Sequence, residues 1–152
     1  YAGAILVPGG KDLFAMYEKL GYRTVTTVSE FAAQRGSTPA DLTPIDAAEF
    51  SKLRRQYLLG GGVIQEGAAL NFLQTYCRFY AGEDFLLAAA EADGVLRAQE
   101  LLGNTAAVPG ILQTLGYENG TFRTPGNDRN FAMLLPLTKN CPIPAYFGLA
   151  LD

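Results

Sequence analysis

"AILVPGGKDLFAMYEKLGYRTV", residues 4–25, carries the signals for a strand, a helix and a second strand in close succession. The aliphatic run at 2–7 is short and uncharged, which suits a strand buried on both faces. Pro8-Gly9-Gly10 stops it, since proline lacks an amide donor and glycine tolerates a turn. Asp12 then places negative charge in a helical first turn, where the helix dipole favours it. Leu13, Phe14, Tyr17 and Leu20 recur at helical spacing, and Gly21 suits the left-handed position just past a helix end. The β-branched stretch "RTVTTVSEF" (23–31) reads as the next strand. Residues 1–31 are therefore expected to form a compact β-α-β unit.

Outward from that unit, "QRGSTPADL" (34–42) has the composition of a linker and marks a boundary. "TPID" (43–46) is expected to open a helix, with Thr43 as N-cap, Pro44 in the first position and Asp46 at N3. Ile45, Phe50, Leu53 and Tyr57 give it an inner stripe through about residue 59, before Gly60-Gly61-Gly62 break it. A second helix is expected from about Glu66 to Tyr80, with Leu70, Leu73, Cys77 and Tyr80 on one side and Gly82 as terminator.

Asp93-Gly94, central to residues 84–103, is a two-residue hairpin signal. The flanking Ala and Leu would equally suit helix, and two strands are read. Asn104 or Thr105 caps a third helix lined by Val108, Ile111, Leu112 and Leu115 and ended by Gly116. Residues 120–137 read as strand, turn, strand about Pro125–Asp128, and "AYFGLALD" (145–152) as a final strand. This order predicts an α/β (α+β) domain whose mixed sheet is mainly antiparallel.

Composition narrows the function. Of 152 residues, 49% are hydrophobic and 18% charged, enough for a buried core and too ordered for a disordered chain. The net charge of −3 with no basic cluster gives nucleic acid nothing to hold. No apolar run is long enough to span a bilayer and the start resembles no signal peptide, so no membrane partner is expected. Two cysteines, Cys77 and Cys141, fit a reducing, cytoplasmic setting. The absence of histidine excludes Ser-His and Cys-His nucleophile pairs and argues against zinc, so no metal is expected. The chain begins with Tyr1 and enters its strand directly, as the later part of a longer protein would.

Few residues suggest chemistry. Gly60–Gly62 could cradle an anion, but no Walker spacing surrounds them and a plain turn is the favoured reading. "PGGK" (8–11) is similarly ambiguous: a helix start favours anions, but a turn with a solvated Lys11 suffices. The carboxylates are scattered, with Glu91 and Asp93 at the hairpin turn and Glu83, Asp84 and Asp12 near element ends, and no glycosidase-like pair forms. Tyr17 stands out. A phenol with a pKa near ~10 can protonate a strongly basic leaving group such as a thiolate. On the helix alone, inward packing of its ring is favoured, because amphipathic tyrosines are common.

The stretch 4–25 resembles the closing β-α-β segment of the GCN5-related N-acetyltransferase (GNAT) family, whose frequent pattern is aromatic-Tyr-x-x-x-Gly-aromatic. Tyr17, Gly21 and Tyr22 match it, with Met16 where Phe is commoner. The resemblance implies acetyl transfer from acetyl-CoA to a small-molecule or peptide amine, with Tyr17 donating a proton to the coenzyme A thiolate. It also implies that Lys11 and Phe14 lie near the pantetheine arm. The remainder, through "PAYFGLALD", resembles the second, degenerate GNAT-like domain of two-domain bacterial acetyltransferases related to the enhanced-intracellular-survival proteins. In some of these the terminal carboxylate acts as a base, a role this implies for Asp152.

The expected organisation is then residues 1–33 closing an N-terminal GNAT domain, a linker at 34–42 and a second domain at 43–152. The family's Arg/Gln-x-x-Gly-x-Gly/Ala coenzyme loop is absent, "LLGGGV" lacking its basic residue and spacing. That loop would belong upstream, so this chain alone is expected to bind acetyl-CoA poorly. Two other readings stand beside catalysis: residues 43–152 as a non-catalytic accessory or homo-oligomer contact, and an independent α/β domain that mimics the pattern.

Overall fold

The computed structural model describes residues 1–151. In chain order it comprises β1 (Gly3–Leu6), α1 (Lys11–Lys19), β2 (Arg23–Thr24), β3 (Thr27–Gln34), β4 (Thr43–Ile45), α2 (Ala47–Tyr57) and α3 (Ala68–Leu73). Then follow β5 (Arg78–Ala81), β6 (Phe85–Ala92), β7 (Val95–Gly103), α4 (Val108–Leu115), β8 (Asn119–Pro125), β9 (Arg129–Asn130) and β10 (Met133–Pro136). Seven strands form one sheet in the order β4-β5-β6-β7-β8-β3-β9, and β1-β10-β2 form another. Every ladder is antiparallel except β7 with β8, the pair joined through α4. The mixed, mainly antiparallel sheet flanked by helices is thus as the sequence predicts.

The hairpin forms where Asp93-Gly94 places it. Both residues take positive φ, 55° and 74°, which the tight turn needs and which Asp and Gly tolerate best. Its strands carry the core on both faces. Leu87, Ala89, Leu96, Ala98 and Leu101 face α4, packing on Val108, Ile111, Leu112 and Phe122. Leu86, Ala88 and Leu102 face the other way, toward Phe50 of α2, Leu70 and Leu73 of α3, and Tyr146 and Leu149 near the chain end.

A register shift at Ala88/Ala89 places Ala98 and Glu100 opposite consecutive β6 residues, leaving Gln99 as the extra residue of a bulge. Strict alternation would put Ala98 and Glu100 on one face. The bulge instead turns Glu100 toward α2, where Arg54 donates to both carboxylate oxygens from Nε at 2.6 Å and Nη2 at 2.9 Å. Both side chains are buried, and Arg54 Nη1 also donates to the Val63 carbonyl at 2.8 Å. Two charges can stay in a core only when so completely bonded.

Several local expectations change. "TPID" opens no helix at Thr43. Thr43-Pro44-Ile45 instead pair with Phe79–Ala81 as an edge strand, where proline's missing amide is tolerated. Asp46 is the cap of α2, its Oδ1 accepting from the Glu49 amide at 2.8 Å. The expected helix 66–80 ends at Leu73. Arg78–Ala81 pair with Leu86–Ala89, because ladder hydrogen bonds and the inward rings of Phe79 and Tyr80 outweigh a helical pattern.

"RTVTTVSEF" divides into β2 and β3, which belong to different sheets. The expected β-α-β unit is interleaved as well, since β10 lies between β1 and β2. β3 pairs along its length with β8, and residues 35–42 bond to α4 through Gly36 to Pro109, Ala40 to Gly110 and Thr114 to Ala40.

The tail forms no strand over residues 145–151. Its backbone is served by inserted partners instead. The Val63 amide donates to Tyr146, Gln65 Nε2 to Leu149 at 2.5 Å, and Arg123 Nη1 to the carbonyls of Gly148 and Ala150, each at 3.1 Å. Buried carbonyls need partners, and a guanidinium supplies two at once.

Candidate functional site

α1 is the helix on which the sequence places chemistry. Its C-terminus follows the expected pattern: the Gly21 amide donates to Glu18 and the Tyr22 amide to Tyr17, with Gly21 at φ 93°. That left-handed turn folds Tyr22 back against the helix, where its ring meets Tyr17 edge-on at 5.4 Å and 68°. Tyr17 is half-buried, its phenol neither sealed in the interior nor fully solvated.

At the other end, Gly10 caps α1 with no side-chain hydrogen bond. The first helical amides therefore lack a side-chain partner. They border a hollow of about 480 Å³ lined by Pro8, Gly9, Gly10, Lys11, Phe14, Arg129 and Asn130. Lys11 is exposed and Phe14 half-buried. Lys11, Phe14 and Tyr17 are spaced three apart along the helix, a row that continues from the hollow toward the phenol. Tyr17 is not among the residues that line the hollow. A basic group, an apolar ring and open helix amides suit a ligand with an extended arm and some negative charge.

Arg129 and Asn130 escaped the sequence reading. They stand more than a hundred residues from Lys11 and carry no motif; strand β9, pairing with β3, brings them there. Arg129 is fixed by Glu30, donating from Nε at 3.0 Å and Nη2 at 2.7 Å, and its guanidinium stands 5.2 Å over the Phe131 ring. Arg123 shares the same carboxylate at 2.9 Å and stacks over the same ring at 4.5 Å. Hydrogen bonds from Arg129, then from Arg123, hold the Glu30 carboxyl below its usual range against the opposing cost of partial burial.

Gly60–Gly62 border a different cleft, of about 500 Å³, with Ile5, Leu134, Ile143 and Cys141. No basic residue lines it, so the triple glycine gains no electrostatic support as an anion cradle. Asp152, the other catalytic candidate, lies outside the described residues. Among the described residues no cluster of His, Cys, Asp and Glu could hold a metal ion, and no helix is long and apolar enough to cross a membrane.

Taken together, the sheet order and flanking helices define a fold shared with GCN5-related N-acetyltransferases. The structure is similar to the GCN5-related N-acetyltransferase from Kribbella flavida, with a TM-score of 0.58 and 20% identity, over 88% of this chain and 43% of that one. It is similar also to a conserved protein from Enterococcus faecalis, described as a probable N-acyltransferase, with a TM-score of 0.58 and 14% identity, over 88% of this chain and 45% of that one. The chain thus spans less than half the length of either. No family model matches the sequence, and no curated protein matches it.

Proposed function

We propose that this chain is part of an N-acetyltransferase that moves acetyl from acetyl-CoA to an amine, with Tyr17 as the general acid. The observation that carries the proposal is the half-buried Tyr17 phenol, braced by Tyr22 and continuing the row from Lys11 and Phe14. Its setting, a fold similar to a GCN5-related N-acetyltransferase and to a protein described as a probable N-acyltransferase, supports that reading. A deprotonated amine attacks the thioester carbonyl, and backbone amides stabilise the developing oxyanion. The C–S bond breaks, and Tyr17 gives its proton to the departing thiolate. Lys11 and Phe14 border the path of the donor's arm; Asp152 is assigned as a base through the family resemblance.

In the same proposal, residues 1–33 close an N-terminal GNAT domain, 34–42 link, and 43–152 form a second GNAT-like domain. Its surroundings are cytoplasmic.

Tyr17→Phe in the full-length gene product tests the reading. General acid assistance contributes about 10²–10⁴-fold, so turnover should fall by that order while acetyl-CoA binding and thermal stability hold. Unchanged turnover removes Tyr17 from the chemistry. The rival role, a non-catalytic module, draws on the absence of a recognisable coenzyme loop. Calorimetric titration of this chain with acetyl-CoA separates the two: tight binding supports a complete enzyme, and no binding supports the module.

A further inference from the structure

On the α4 side of the large sheet, a cleft of about 320 Å³ opens between β5, β6 and the turn after α4, lined in part by Tyr76, Arg78, Tyr80, Glu91 and Tyr117. None of its lining residues belongs to the hollow beside α1. Arg78 pairs with Ala89 across the ladder, and strand alternation places Arg78, Tyr80, Ala89 and Glu91 on one face. Ala89 also lines the cleft, its small side chain leaving room between the rings.

The charges are arranged with opposite signs. The Tyr117 hydroxyl donates to Glu91 Oε2 at 2.8 Å, which holds one carboxylate oxygen in place; Oε1 has no hydrogen bond among the described residues. That bond, with burial behind it, raises the Tyr117 phenol above its ordinary range and keeps it a donor. Arg78 is exposed and its side chain makes no hydrogen bond or ion pair among the described residues, yet it lies close enough to Tyr117 to be felt there electrostatically. Tyr76, exposed and tilted against Phe72 at 5.1 Å, extends the wall with a second ring surface.

We propose that this cleft binds a small zwitterion, a free α-amino acid, with its ammonium on Glu91, its carboxylate on Arg78 and its side chain among the tyrosine rings. A ligand of single sign would leave one of the two charges opposed, whereas an amino acid answers both. The volume lies at the small end of ligand pockets and suits a molecule of that size. Arginine's planar fork matches a carboxylate, and tyrosine faces accept both an apolar side chain and an ammonium.

The test is calorimetric titration of the purified chain with L-phenylalanine and L-alanine. Phenethylamine and phenylpropanoate, which keep only one of the two charges, serve as comparisons. L-Phenylalanine should bind, and each half-charged analogue should bind about tenfold more weakly, the scale of one lost charge-assisted hydrogen bond. Glu91→Gln should weaken L-phenylalanine and phenethylamine but spare phenylpropanoate; Arg78→Met should weaken L-phenylalanine and phenylpropanoate but spare phenethylamine. Both side chains are exposed, so the variants should keep the wild-type circular dichroism and melting temperature. The proposal is overturned if neither amino acid binds, if a half-charged analogue binds as tightly as the amino acid, or if both variants bind L-phenylalanine like the wild type.

Discussion

Glu30 shows how much one exposed carboxylate organises. It gathers Arg123 and Arg129, both stacked on Phe131, and Arg123 in turn holds the tail carbonyls of Gly148 and Ala150. Its pKa is lowered on folding, so the folded state binds its proton less readily than the unfolded chain does. The resulting stability is present above the unfolded carboxyl value of about 4.3 and is lost as pH falls through the lower folded value. Urea unfolding across acidic pH checks this. Glu30→Gln should be less stable than wild type near neutrality, and the difference should shrink as the pH drops below that window.

Cys77 illustrates the opposite case: burial, then the Glu100 charge, raises its thiol to about 11, keeping it protonated inside the core. Tyr146 is likewise pushed far above the ordinary phenol range, by burial and then by Glu100.

Among elements, α2 depends on its first turn. Asp46 caps it through the Glu49 amide, while Arg54, near its last turn, anchors it to Glu100. Asp46→Ala should cost about 0.5–2 kcal/mol in chemical denaturation, the usual range for losing such a cap. If Thr43 were the operative cap, as its sequence context suggests, Asp46→Ala would be nearly silent and Thr43→Ala would carry the loss. The hairpin β6-β7 is tied together differently, by its turn and by cross-strand packing on both faces.

For the whole molecule, stability is unevenly distributed. α1 buries none of its residues, and Leu13 and Met16 are exposed on it. β6 and β7 lie between the two halves of the core. Amide exchange follows local opening, so α1 should lose protection well before β6 and β7. Hydrogen-exchange mass spectrometry on this chain measures the order directly; slow exchange throughout α1 would contradict it.

Strand β1, helix α1 and the Asp93-Gly94 hairpin were legible in the sequence because local chemistry dictates them. An aliphatic run before Pro-Gly-Gly, an amphipathic period ended by Gly21, and a dipeptide able to take positive φ each act within a few residues. The same holds for the row of Lys11, Phe14 and Tyr17, which is a property of one helix. What lay beyond the sequence depends on partners far along the chain. Whether Arg78–Ala81 extend as a strand was decided by β6, and whether Glu100 faces Arg54 was decided by a bulge. Arg129 reaches the hollow beside α1 only because β9 pairs with β3. Helix and turn preferences are worth about 1 kcal/mol per residue or less, so sheet pairing and burial outweigh them wherever the two disagree.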